Sequence, residues 1–208
     1  MSTKKIYLIR HGETEFNKKG IVQGSAINSS LNDTGREQAQ AFYQAYKYIP
    51  FQAIYTSALN RSIESVQGFI ESDIPHFIRP GLNEISWGDM DGKVATTTEH
   101  NQYKELIERW KNGDIEYKMR GGESPVDVQK RQEPVIEEII QSSFDTILVC
   151  MHGRAIRILL SAITGRDLRY MDDFEHANLS LYILETKGKD IDIVLANCQK
   201  HLLNGSKA

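Results

Sequence analysis

Short apolar, β-rich runs alternate along this chain with longer segments whose apolar residues recur at helical spacing. That alternation constrains the fold more than any other feature. Strand candidates are Lys5–Arg10, Ala53–Ser57, a short run near His76–Arg79, Thr146–Met151, Ser180–Leu184 and Ile191–Ala196. Strands separated by helices predict an α/β fold with a largely parallel sheet. The last two runs flank Lys187-Gly188-Lys189 and read as a closing hairpin.

The first clear helix begins near Asn32–Thr34, where Ala39, Phe42, Tyr43 and Tyr46 fall on one face. Thr34 and Glu37 have capping-box spacing, and Asn32 is an equally good N-cap. A second helix is expected from Ser57 to about Ile70. Ser124-Pro125 opens another, which Pro134 is expected to interrupt and kink. A further helix from about Arg154 buries Ile156, Leu159, Leu160 and Ile163. Between residues 88 and 122 the pattern weakens to one amphipathic helix carrying Tyr103, Leu106, Ile107 and Trp110. This stretch reads as a cap or lid within a single domain spanning 1–208, and the tail Asn204–Ala208 reads as disordered.

The 208 residues suffice for one domain, and 40% hydrophobic with 25% charged residues is ordinary for a soluble globular protein. A net charge of -3 supplies no global footprint for nucleic acid or membrane, so any attraction for an anion is local. Ile6–Ile9 after Lys4-Lys5 is too short for a signal-peptide core, and no apolar run approaches the ~20 residues of a membrane span. A cytoplasmic protein is expected. Cys150 and Cys198 lie in strand-like stretches. Cys150 stands two residues before His152, but a buried core thiol is favoured over a catalytic pair, and no disulfide is expected in a reducing compartment.

Two apolar runs end in histidine and glycine, at Arg10-His11-Gly12 and at His152-Gly153. Ligands of open α/β sheets bind outside the carboxyl ends of the strands. A permanent cation beside a potential nucleophile there points to an anionic, phosphorylated substrate. Gly12 is expected to let the backbone turn sharply. Four segments carry groups suited to phosphate: Arg10-His11-Gly12-Glu13-Thr14-Glu15-Phe16-Asn17, Ser57-Ala58-Leu59-Asn60-Arg61-Ser62, Leu82-Asn83-Glu84-Ile85-Ser86-Trp87-Gly88 and His152-Gly153-Arg154-Ala155-Ile156-Arg157.

With these motifs in this order, the chain resembles the histidine phosphatase superfamily, in the branch shared with cofactor-dependent phosphoglycerate mutases, from Lys5 to about Leu195. The resemblance implies a three-layer α/β/α sandwich with a mostly parallel central sheet, flanking helices and a small cap insertion. It implies that His11 accepts the phosphoryl group, a role suited to a neutral imidazole with one nitrogen held by a carbonyl. Arg10 and Arg61 match the family's phosphate clamps, His152 the second histidine, Asn17 a further phosphate donor and Glu84 the general acid. Gln23-Gly24 falls in the loop where the family touches substrate. Gly153 permits close approach of backbone, and Arg154 either extends the anion site or caps its helix. Glu13 and Glu15 are expected to order the signature loop.

Neither a metal nor a nucleotide cofactor is expected from the residues. His76, His100, His176 and His201 form no short ligand spacing, and no Walker loop is present. The stretch Ser62-Ile63-Glu64-Ser65-Val66 lies where relatives usually carry a Thr-Ala pair, and Trp87-Gly88-Asp89-Met90-Asp91-Gly92 has Asp91 for the glutamate of the phosphatase-type motif.

The function expected is that of a metal-independent phosphomonoesterase acting on a small phosphorylated metabolite through a phosphohistidine. A phosphoglycerate mutase, with 2,3-bisphosphoglycerate as cofactor, is the alternative, and a non-catalytic phospho-ligand-binding protein a minor one. Lys93, Lys104, Arg109, Lys118 and Arg120 could receive a second anionic group or merely form the solvated face of the cap. The expected partner is a small-molecule phosphomonoester, with no nucleic acid or membrane. A homodimer through an edge strand is open.

Overall fold

The computed structural model describes residues 3–203 apart from 94–95 and 188–189, so the centre of the expected hairpin turn and the tail from Asn204 lie outside the described residues. The chain begins with β1 (Lys5–Arg10), whose middle four residues are all buried. Burial on both faces explains why its apolar run is continuous rather than alternating. There follow the one-turn α1 (Glu15–Lys18), α2 (Asp33–Tyr46), β2 (Ala53–Thr56), α3 (Asn60–Glu64), α4 (Gln67–Ile70) and β3 (His76–Ile78). The second half contains α5 (Thr97–Lys111), α6 (Pro125–Gln141), β4 (Thr146–Met151), α7 (Gly153–Ile163), β5 (Leu181–Lys187), β6 (Asp190–Cys198) and α8 (Lys200–Leu203).

The strands form one sheet in the order β3-β2-β4-β1-β5-β6. The pairings among β3, β2, β4 and β1 are parallel, while β5 and β6 extend the sheet antiparallel beyond β1. Side chains alternate between two cores. Ile6, Leu8, Tyr55, Ile147 and Val149 pack against Val135 and Ile139 of α6 and Ile156, Leu159 and Leu160 of α7. On the opposite face, Tyr7, Ile9, Ile54, Leu148 and Cys150 meet Phe42 of α2 and Phe69 of α4. Helices on both faces of a mostly parallel sheet make the α/β sandwich expected. A third cluster joins Ile85, Trp87 and Met90 to Leu106 and Trp110 of α5, Val128 of α6 and Ile158 of α7. The amphipathic helix of residues 88–122 therefore packs on the main body through its two buried side chains, Leu106 and Trp110.

Several local expectations change. The helix expected from Ser57 to Ile70 is broken into α3 and α4, because Ser65 is diverted: its hydroxyl accepts the Gly12 N–H at 2.9 Å and donates to the Arg61 carbonyl at 2.5 Å. Val66, next in line, leaves helical geometry. Asn32 rather than Thr34 caps α2, its side chain accepting the Gly35 N–H at 2.8 Å. Pro134 does not interrupt α6, which runs through it. Pro134 and Lys130, four residues before it, both lie on the exposed face, where water can satisfy the carbonyl that proline leaves unpaired. Gly12 is needed for space rather than for a left-handed turn: a Cβ there would lie 2.7 Å from the Gly35 carbonyl oxygen and 3.0 Å from Leu179 Cδ2.

Candidate active site

Register brings the two histidines together. Arg10 of β1 pairs with Met151 of β4, and the His11 N–H donates to the Met151 carbonyl at 3.0 Å. His11 and His152 thus leave adjacent parallel strands at one level of the sheet, with ring centroids 5.0 Å apart. Ser57, leaving β2 beside them, has its hydroxyl 2.7 Å from His152 Nε2.

His11 is almost wholly buried, and its Nδ1 lies 2.7 Å from the Gly12 carbonyl oxygen. A carbonyl only accepts, so Nδ1 carries the proton and Nε2 carries the free lone pair. Burial first, then the Arg61 and Arg10 charges, hold the His11 pKa well below its usual 6.5. His152 is depressed in the same way, by burial and then by Arg61. Both imidazoles are therefore neutral at physiological pH.

Arg61 is fully buried, donating to the carbonyls of Ile27 at 2.6 Å and Gly24 at 3.3 Å. Burial brings its pKa down to about 10, against the raising influence of Glu84, so it remains a cation. Arg10 Nε, Arg61 Nε and His152 Nδ1 are all buried without a hydrogen-bond partner among the described residues. Such groups are costly, ~1–3 kcal/mol each, and uncommon in native proteins.

Glu84 accepts three backbone N–H groups. Its Oε1 takes those of Ile85 and Ala155, both at 2.9 Å, and its Oε2 takes that of Arg154 at 3.1 Å. The carboxylate thus seats on the N-terminus of α7, where unpaired N–H groups and the helix dipole favour it. Its loop is fixed by Arg131, which donates to the carbonyls of Gly81, Asn83 and Glu84 and pairs with Glu123 at 2.8 Å. Arg131 escaped the sequence reading because a helical arginine shows no signal of the loop it will grip.

A cavity of about 250 Å³ is lined by Arg10, His11, Asn17, Gln23, Glu84, Gly153 and Arg154, together with Trp87, Tyr103, Arg157 and His176. Arg61 and His152 are buried beside His11 rather than on its open wall. Asn17 spends its Oδ1 on its own helix start, accepting the Thr14 N–H at 3.2 Å, which leaves its amide N–H groups for a ligand. Gln23 likewise uses its oxygen internally, accepting from Ser29 at 2.5 Å.

Gly24 does not line this cavity. Its N–H donates to Asp91 at 2.7 Å and its carbonyl supports Arg61, so its place is structural. A Cβ on Gly24 would lie 2.2 Å from Asp91 Oδ1. The aspartate of the Trp87-Gly88 motif therefore anchors the loop bearing Gln23 and Gly24. Gly153 makes room for a side chain rather than for backbone, since a Cβ would fall 2.6 Å from His176 Cε1.

His176, Arg157 and Asp172 were not picked out from the sequence. Arg157 closes the fourth phosphate-suited segment without a role of its own, His176 stands out only as a histidine without ligand spacing, and Asp172 lies on the 3-10 turn Leu168–Asp173, where no motif marks it. Arg10 Nη1 lies 3.3 Å from His176 Nδ1. Burial, followed by Arg10 and Arg157, pulls the His176 pKa to about 3. His176 is therefore neutral, with Nδ1 accepting from Arg10 and Nε2 bearing the proton.

None of the cap cations Lys93, Lys104, Arg109, Lys118 and Arg120 lines the cavity. Arg109 pairs with Glu105 and Asp114, Lys118 with Asp127 and Arg120 with Asp89, all on the surface. Glu13 accepts from Asn32 at 2.8 Å, ordering the signature loop, and Glu15 faces solvent. Cys150 is buried with its thiol pushed up to about 12, which makes it a core residue and not a nucleophile. No group of three or more His, Cys, Asp or Glu side chains able to hold a metal ion occurs among the described residues. No described helix is long and apolar enough to cross a membrane.

Known proteins share this arrangement of chain and fold. Phosphoserine phosphatase 1 of Hydrogenobacter thermophilus is 26% identical over 200 residues, covering 95% of this chain and 94% of that protein. A 2,3-bisphosphoglycerate-dependent phosphoglycerate mutase of Bartonella henselae is 29% identical over 171 residues, covering 78% of this chain and 82% of its own. Among solved structures, Bacillus stearothermophilus YhfR superposes with a TM-score of 0.83 at 26% identity, covering 96% of this chain and 99% of that one. Residues 6–199 match the histidine phosphatase superfamily, branch 1, throughout, and the chain belongs to that superfamily of phosphatases and mutases.

Proposed function

We propose that the protein hydrolyses small phosphomonoesters through a covalent phosphohistidine at His11, with no metal ion. The observation that carries this reading is the state of His11: a buried, neutral imidazole, its Nδ1 proton tied to Gly12, its Nε2 lone pair free, and two guanidiniums close enough to depress its pKa. In the first step His11 Nε2 forms a bond to phosphorus while the bond from phosphorus to the ester oxygen breaks. Glu84, which enters this step carrying a proton on Oε2, the oxygen that accepts only one backbone bond, gives that proton to the leaving alkoxide and becomes the carboxylate. In the second step water attacks phosphorus, Glu84 takes its proton, and the bond to His11 breaks to release phosphate.

Phosphoryl transfer is mostly positioning and charge stabilisation, which suits unpaired donors such as Arg10 Nε, Arg61 Nε and His152 Nδ1. Ser57, donating its hydroxyl proton to His152 Nε2, leaves the His152 proton on Nδ1 for the phosphoryl oxygens. The phosphatase relative supports hydrolysis, and the mutase relative marks transfer to a retained acceptor as the competing outcome.

The test follows free phosphate and 2-phosphoglycerate over a panel of phosphomonoesters with chelator present. The panel includes 3-phosphoglycerate with and without 2,3-bisphosphoglycerate. Phosphate release that disappears in His11→Ala, with an acid-labile phosphoenzyme trapped only in the parent, is the expected result. Isomerisation without phosphate release would make the protein a mutase. Turnover retained by His11→Ala would end the phosphohistidine reading.

A further inference from the structure

The catalytic scheme above leaves a second cluster of cations in the same cavity unused. Arg154 and Arg157, one helical turn apart on α7, both line it, and both donate to a single oxygen, Oδ1 of Asp172. Arg154 is 8% exposed, lies 2.6 Å from Asp172, and has its guanidinium carbon 5.5 Å from the Trp110 ring centre and 5.9 Å from that of Trp87. Arg157 adds a bond from Nε to the Phe174 carbonyl at 3.0 Å.

A buried cation is normally matched by an acid of its own, because desolvation is costly. Here one carboxylate serves two guanidiniums, and Arg154 lowers the pKa of Arg157 beyond the effect of burial. Arg154 Nε and Nη2 and Arg157 Nη2 donate to nothing among the described residues, nor does the Tyr103 hydroxyl on the same cavity wall. A guanidinium edge with two parallel N–H groups matches a planar carboxylate. The cavity, about 250 Å³, suits a compact ligand.

We infer that Arg154 and Arg157 form a carboxylate subsite, and that the substrate is the phosphomonoester of a small hydroxy or amino acid. The inference rests on the phosphatase reading of the same cavity. The acid group lies within a few carbons of the ester oxygen, so that phosphoryl and carboxylate ends are held together. Asp172 holds the two cations side by side and oriented before substrate arrives. The cations that recognise the second anion thus come from α7, not from the cap.

The experiment compares kcat/KM for matched pairs that differ in the carboxylate. O-phosphoserine is set against O-phosphoethanolamine, and 3-phosphoglycerate against glycerol 3-phosphate, with p-nitrophenyl phosphate and propane-1,3-diol bisphosphate alongside. The parent protein is expected to favour the carboxylate member of each pair by about tenfold or more, the effect of one or two charged hydrogen bonds. Arg154→Gln and Arg157→Gln, made separately, are each expected to bring that ratio towards one.

A parent ratio near one, with p-nitrophenyl phosphate hydrolysed, overturns the carboxylate subsite and leaves the phosphatase reading standing. A ratio retained in both variants also overturns it, since a merely structural role would slow both members alike. Preference for the bisphosphate over both acids would replace carboxylate by phosphate as the ligand. No turnover of any ester would remove the phosphatase reading and this inference together.

Discussion

Ser65 supports the active site from behind, and its removal should show in stability before it shows anywhere else. The side chain is 2% exposed, and its hydroxyl is the acceptor for the Gly12 N–H at 2.9 Å. Ser65→Ala leaves that N–H buried and unpaired, at a cost of ~1–3 kcal/mol. For a chain of this size each kcal/mol moves the melting temperature by roughly 2–4 °C, so a fall of about 2–12 °C is expected. Ser72→Ala is the matched control. Its hydroxyl bonds the carbonyl of Gly68 at 2.9 Å but on the exposed surface, where a change stays within ~0.5 kcal/mol. Thermal unfolding followed by circular dichroism reads both. Because the Gly12 carbonyl also holds the His11 proton, kcat of Ser65→Ala should fall as well. Equal melting temperatures for the two variants would refute the assignment of Ser65 as the partner that Gly12 depends on.

Two further outcomes are expected. Gly153→Ala drives a methyl to within 2.6 Å of His176 Cε1, and the displaced ring releases Arg10, so kcat/KM should fall about tenfold or more; His176→Ala, which releases Arg10 directly, should cost a similar amount and the double variant no more than either, and an unimpaired Gly153→Ala would contradict the packing. His176 has its pKa lowered from 6.5 to about 3 in the fold, so between those pH values the unfolded chain binds the proton that the folded chain refuses. Its contribution to stability is complete above pH 6.5 and is lost as pH falls towards 3, at up to ~1.4 kcal/mol per unit. Urea unfolding at pH 7 and pH 4 should show a smaller loss for His176→Gln than for the parent, and equal losses would exclude a buried neutral His176.

Much of the frame was legible in the sequence because it depends on short-range patterns. Lys5–Arg10 and Thr146–Met151 are strands to the residue, since runs buried on both faces are apolar throughout and end where charge or histidine begins. Arg10, His11 and His152 stand at strand ends, where topology gathers them, whereas Glu84 lies in the loop after the turn Pro80–Leu82 and its place among them was implied by the family resemblance. Contacts between distant segments were not legible. Nothing local in Ser57–Ile70 announces that Ser65 will bind Gly12, 53 residues earlier, and so the helix was expected whole. The cations of the cap drew attention by number, yet their partners sit on neighbouring surface turns. The cavity instead takes Arg157 from a helix and His176 from a loop, 166 residues along from the Arg10 it contacts.

Residue 154 belongs to two separate systems. Its main-chain N–H helps hold Glu84, while its side chain faces Asp172 and the cavity. Every amino acid except proline brings the same N–H, so the anchorage of the acid is indifferent to which side chain stands at 154. On the carboxylate-subsite reading, position 154 can change substrate preference without disturbing the N–H groups that seat Glu84. Proline is the exception: at 154 it would delete one of the three N–H groups on Glu84 together with the guanidinium, and at 155 it would delete another while leaving His11 and the arginines in place.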